Sequence, residues 1–129
     1  MFDYLDYEAI KENPKIFCGF SDITAVLDSI YAKTGLVTYY GPHYSSFGMK
    51  KGFDYTLEYF KKIFMSDEDI IIKDSDFWSD EAWFIEQENR IFIKNKGRKI
   101  YQNGIGEGTI LGGNLCTLNL LQGTEYMPD

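Results

Sequence analysis

The apolar positions change period near residue 20. Ile16, Phe17, Cys18 and Phe20 form a compact run of strand-forming residues. Ile23, Ala25, Val26, Leu27, Ile30 and Tyr31 then fall on helical spacing. The pattern predicts a short buried strand, a sharp turn, and a helix from about Ile23 to Lys33 that ends at Gly35, a natural C-terminal cap. Leu36 to Tyr40 predict a second short strand, closed by Gly41-Pro42. Strand, helix and strand in this order predict a βαβ unit with parallel strands and a right-handed crossover.

A short helix is predicted over Tyr7 to Glu12, stopping before Pro14. Asp54 to Met65 carries Tyr55, Leu57, Tyr59, Phe60, Ile63 and Phe64 on a helical stripe. Asp69 to Lys73 reads as a strand. From Asp74 the chain turns acidic, Trp-containing and irregular, so a domain junction is expected there, dividing residues 1–73 from 74–129. Residues 91–93 and 99–101 are candidate strands with Gly97 turning between them, and 106–113 reads as a strand with a glycine end. Asn114 is then expected to cap a helix over Leu115 to Leu121, ended by Gly123. The expected fold class is α/β: a partial parallel sheet of Rossmann or flavodoxin type, followed by the start of a second, mixed α/β domain. So few parallel strands leave edges and faces that such sheets normally bury, so the chain is expected to be an internal piece of a larger protein.

Composition narrows the function. Hydrophobic residues are 44% and aromatic residues 17% of the 129, enough for a core. The net charge of −7 argues against a nucleic-acid partner and against an anionic membrane surface. Cys18 and Cys116 lie in apolar runs without metal-ligand spacing, so buried free thiols in a reducing cytoplasm are expected. One histidine and no Cys/His cluster leave no expected metal site, and no cofactor is expected. No apolar run approaches a membrane span of about 18 residues.

Ser21 sits where the two periods meet. A serine lifted on the end of a strand, beside the free N–H groups of a helix start, has the geometry of a nucleophile elbow. The same residue types before an apolar periodic run also read as an N-cap. The pattern Gly19-Phe20-Ser21-Asp22-Ile23 departs from the usual G-x-S-x-G, since Ile23 stands two past the serine. Asp22 also suits the first turn of a helix, where the macrodipole favours a carboxylate. His43 follows Gly41-Pro42 and reads as a loop histidine or a rim residue, while Glu107 and Glu125 read as surface or capping groups.

Asn13 to Ala25 (NPKIFCGFSDITA), followed by Lys33-Thr-Gly-Leu-Val37 and Gly41-Pro42, resembles the LD-carboxypeptidase family of serine peptidases. Gly108 to Leu115 (GTILGGNL) and Gln122-Gly-Thr124 resemble a second block of that family. The Trp-containing stretch 77–90 is most similar to its microcin-C self-immunity subgroup. The resemblance covers essentially the whole chain. It implies a cytoplasmic peptidase with a Ser-Glu-His triad, in which Ser21 matches the nucleophile and the Asp22 N–H one oxyanion donor. It implies that the triad Glu and His lie beyond Asp129 and that the other oxyanion donor precedes Met1, so the isolated chain is expected to be inactive. The full-length protein is expected to be a homodimer.

For Trp78 and Trp83 the resemblance implies a clamp that stacks on a nucleobase; anchoring between domains is the alternative. Asn114, behind Gly112-Gly113, is a candidate substrate-binding residue as well as a cap. The implied substrate is a peptidyl or aminoacyl adenylate analogue of antibiotic type, cleaved at an amide bond. A muropeptide with a terminal D-residue and a truncated, non-catalytic binding module remain the alternatives.

Overall fold

A computed structural model describes residues 1–128 of the chain. It is mixed α/β and divides into two compact units, one of residues 1–43 with the segment from Glu107 onward, the other Tyr44–Gly106. The junction expected at Asp74 falls inside the second unit.

In the first unit, α1 (Tyr7–Glu12) starts where the Asp6 carboxylate accepts from the Ala9 N–H at 2.9 Å. β1 (Cys18–Gly19) and β2 (Tyr39–Tyr40) pair in parallel, Cys18 opposite Tyr39 and Gly19 opposite Tyr40. Between them α2 (Thr24–Thr34) makes the crossover, so the expected parallel βαβ unit is present. α2 ends at Gly35, whose φ of 71° only glycine adopts readily and whose N–H returns to the Tyr31 carbonyl at 2.8 Å. Thr24, Ser29 and Ile30 on α2 are fully buried, and the Tyr7 hydroxyl reaches Ser29 Oγ at 3.3 Å from α1.

The chain returns to this unit with α4 (Leu115–Leu120), which follows Asn114 as expected. Leu121 is buried there, Lys33 pairs with Glu125, and the Tyr126 hydroxyl donates to Asp3 at 2.8 Å. Both strands are shorter than the apolar pattern suggests, and Ile16 and Val37 are 64% and 60% exposed. A two-stranded sheet has no second layer among the described residues to cover them. Cys18 and Cys116, free as expected, are exposed rather than buried.

The second unit centres on α3 (Asp54–Met65), whose bounds match the periodicity. Phe47 packs edge-on against Phe53 and Phe60 at 5.1 and 5.0 Å. Residues 69–73 form no strand. Two tyrosine hydroxyls of α3 take their backbone groups instead: Tyr59 accepts from the Lys73 N–H at 2.8 Å, and Tyr55 donates to the Lys73 carbonyl at 2.6 Å. β3 (Phe77–Trp78) and β4 (Ile93–Lys94) pair antiparallel, so the segment expected at 91–93 pairs two residues later than drawn. Residues 99–101 and 106–113 form no strand, and Ile110 is 96% exposed.

Asp28 on α2 is 6% exposed, and its Oδ2 has no hydrogen-bond partner among the described residues. Burial pushes its carboxyl above the ordinary value of 3.8. A raised pKa means that the folded state favours the protonated form. Asp28 therefore costs stability above its folded pKa, and that cost fades as pH falls toward 3.8. Asp28→Asn is expected to raise the urea midpoint at neutral pH, with the gap to the unsubstituted protein closing on acidification. A gap independent of pH would show that the carboxylate is not the cause.

Candidate active site

The turn between β1 and α2 is a single 3-10 turn, Ser21–Ile23. Ser21 enters it with φ = 58°, and no other non-glycine residue among those described has a positive φ. An L-residue in this left-handed region costs about 1–2 kcal/mol. An ordinary N-cap lies in the extended region, so the Ser21 backbone is not that of a cap. Ser21 is half-buried, and its hydroxyl has no hydrogen-bond partner among the described residues.

The turn forms because of what flanks it. A Cβ on Gly19 would stand 2.3 Å from Ile23 Cγ2, so only glycine leaves room for that side chain. A Cβ on Gly41 would stand 2.5 Å from Cys18 Sγ, which lets β2 close against β1. From β2, Tyr40 reaches the turn: its hydroxyl accepts from the Ser21 N–H at 3.1 Å, and its ring lies 5.6 Å from Phe20. On the other side Thr24 Oγ1 donates to the Ser21 carbonyl at 2.7 Å. The Asp22 N–H has no acceptor among the described residues.

Asn114 is brought to this turn. Its backbone N–H donates to Thr24 Oγ1 at 2.8 Å, and its Oδ1 accepts from the Thr117 N–H at 3.1 Å, which makes it the N-cap of α4. The close approach allowed by Gly113 is to Thr24: a Cβ there would stand 2.4 Å from Thr24 Oγ1, and its φ of 146° is itself a glycine conformation. The Asn114 N–H and Oδ1 are thus engaged within the protein. The Thr117 hydroxyl donates to Asp22 Oδ1 at 2.9 Å, so the Asp22 side chain faces α4.

His43 lies three residues beyond β2 and is exposed, and Glu107 is exposed as well. Glu125 is held by Lys33. Trp78 and Trp83 belong to the second unit. Trp78 sits on β3, 46% exposed; Trp83 is half-buried in the following turn, 6.0 Å and edge-on from Phe84. Among the described residues no group of His, Cys, Asp and Glu is placed to hold a metal, and no helix is long and apolar enough to cross a membrane.

Thr24, Thr117 and Tyr40 were not marked by the motif. The signal for Thr24 was its spacing, since a threonine three residues after a turn residue can bond back to that residue's carbonyl. Nothing local marks Tyr40 or Thr117, whose partners are 19 and 95 residues away.

Known proteins resemble the chain over a span that includes this turn. Residues 1–41 match the family model described as the LD-carboxypeptidase N-terminal domain. The "Putative carboxypeptidase YocD" of Bacillus subtilis (strain 168) is 62% identical over 126 residues, 98% of this chain and 39% of that protein. The crystal structure of an MccF-like protein from Bacillus anthracis superposes with a TM-score of 0.97 at 58% identity, over 99% of this chain and 39% of that one. The microcin C7 self-immunity protein MccF of Escherichia coli is 43% identical over 139 residues, all of this chain and 40% of that protein. A structure of MccF in complex with aspartyl sulfamoyl adenosine superposes with a TM-score of 0.85 at 41% identity, over 99% of this chain and 40% of that one. The chain thus spans about two fifths of the length of these relatives.

The left-handed backbone makes its own forecast. In a right-handed helical turn, alanine is more stable than glycine by about 1 kcal/mol. At Ser21 the order is expected to reverse, with Ser21→Gly more stable than Ser21→Ala by about 1 kcal/mol, because only glycine relieves the strain. Paired urea titrations measure it, and alanine proving the more stable would remove the elbow conformation.

Proposed function

We propose, for a chain that belongs to the LD-carboxypeptidase family, that it carries the nucleophile of a serine peptidase. The observation that supports this most is the left-handed Ser21 at the strand-to-helix turn, with an unpartnered hydroxyl. Ser21 Oγ attacks the amide carbonyl of the substrate, and its proton passes to a general base. The Asp22 N–H, free of other acceptors, donates to the oxyanion that forms. The amine then leaves with a proton from the base, and water hydrolyses the Ser21 ester. The base and the carboxylate that orients it are a His and a Glu supplied from outside these 129 residues. His43 and Glu125 are not assigned those roles, and Glu125 is engaged by Lys33.

The proposed substrate is an amide-linked analogue of an aminoacyl or peptidyl adenylate, of antibiotic type, acted on in the cytoplasm by a homodimer of the full-length protein. The reading is supported by the similarity to MccF, a protein solved with aspartyl sulfamoyl adenosine and with glutamyl sulfamoyl guanosine. Exposed Trp78, with Trp83 nearby in sequence, offers aromatic surface for a base. Asn114 Nδ2 is the group of that residue proposed to meet substrate. A muropeptide substrate is the second reading, supported by the family match of residues 1–41.

In the protein at the full length of its relatives, aspartyl sulfamoyl adenosine is expected to be hydrolysed and Ser21→Ala to abolish turnover. The 129-residue chain alone is expected to be inactive, since a serine without its base is a weak nucleophile. Turnover that persists in Ser21→Ala would end the nucleophile assignment.

The tryptophans give a second test in the same protein. Replacing the stacking one by Ala is expected to lose ~1–3 kcal/mol of adenylate binding, about 5- to 150-fold, while muropeptide cleavage and melting temperature change little. Equal loss on both substrates with a large fall in melting temperature would assign the pair to packing instead.

A further inference from the structure

Ser21 and Asp22 share one peptide plane. In a trans peptide the carbonyl of one residue and the N–H of the next point in opposite directions and turn together. Whatever grips the Ser21 carbonyl therefore aims the Asp22 N–H. Thr24 grips it twice, through its hydroxyl at 2.7 Å and through its backbone N–H, which is shared with the Asp22 carbonyl.

Thr24 has little freedom of its own. It is 0% exposed, so water cannot substitute for its hydroxyl. Its single hydroxyl proton is directed at Ser21, and its oxygen accepts the Asn114 N–H at 2.8 Å. The chain of donors thus runs in one direction, from the Asn114 N–H through the Thr24 O–H to the Ser21 carbonyl. Gly113 is the residue that allows this approach, since any Cβ there would collide with Thr24 Oγ1. The second tie, from the Thr117 hydroxyl to Asp22 Oδ1 at 2.9 Å, holds the far side of the same peptide.

We propose that Thr24 is a positioning residue of the acyl-transfer site, which aims the oxyanion-binding N–H of Asp22 by holding the opposite end of its peptide plane. The Gly113-Asn114 turn, 90 residues away in sequence, acts on the chemistry through Thr24. The inference rests on the reading of Ser21 as the nucleophile. It gives that turn a role distinct from contact with substrate: it keeps a donor pointed where charge develops, which lowers the barrier without tightening ground-state binding.

The test uses the full-length protein and aspartyl sulfamoyl adenosine, with Ser21→Ala as the control. Thr24→Val keeps the shape and removes the hydroxyl. It is expected to lower kcat about 10- to 100-fold with KM within about twofold, because the misaimed donor serves the transition state alone. Thr24→Ser restores the hydroxyl and is expected to recover kcat to within about threefold. Should Thr24→Val not fold, Thr24→Cys, similar in size and a weaker donor, is expected to give a kcat between those of Ser and Val-like loss. If Ser21→Ala is dead but the folded Thr24→Val or Thr24→Cys protein keeps the unsubstituted kcat and only melts lower, Thr24 is structural and the proposal falls. If Ser21→Ala retains turnover, the nucleophile reading fails, and this inference with it.

Discussion

The first unit depends on one strained peptide. Ser21 turns left-handed where strand becomes helix, so its N–H lies outside the ladder, while its carbonyl accepts from the Thr24 N–H within the turn. Side chains complete them: the Tyr40 hydroxyl takes the N–H, and the Thr24 hydroxyl gives to the carbonyl. Strain of about 1–2 kcal/mol is comparable to one or two net hydrogen bonds of about 1 kcal/mol each, so the conformation persists only while those partners hold. β2 and α2 each contribute a residue to that set, and Asn114, the cap of α4, donates in turn to Thr24.

The helices were legible because their apolar periodicity was unbroken and their ends were marked. Pro14 follows α1, Gly35 caps α2, and Asn114 caps α4. Strands fared less well, because a strand needs a partner as well as a pattern. Residues 69–73 carry strand-like side chains, yet Tyr55 and Tyr59 bind their backbone, a competition that no local periodicity reports. Ile110 lies in a glycine-rich stretch without a neighbouring strand among the described residues, so the pattern there has no ladder to join. The exposed thiols have the same origin, since apolar neighbours in sequence do not bury a side chain without a facing layer.

At the site, the sequence identified the position of the turn through the period change and the family resemblance. It could not identify the left-handed backbone, since serine is not a residue that advertises a positive φ. Nor could it separate the two readings of Gly113-Asn114. The structure joins them: the asparagine caps α4, and its N–H and the adjacent glycine serve the packing against Thr24. The buried residues of the first unit thus include polar ones, Thr24, Asp28, Ser29 and Thr117.

The vacant Cβ of Gly19 has a consequence for how such turns evolve. The Ile23 side chain occupies the place that a Cβ at position 19 would take. Sizes at 19 and 23 are therefore exchangeable as a sum: a residue larger than glycine at the first site demands a smaller one at the second. A search template that insists on small residues at both ends of the serine describes one division of that volume. This chain holds another, in which the branched side chain shields one flank of the turn and the flexibility that a second glycine would add is absent.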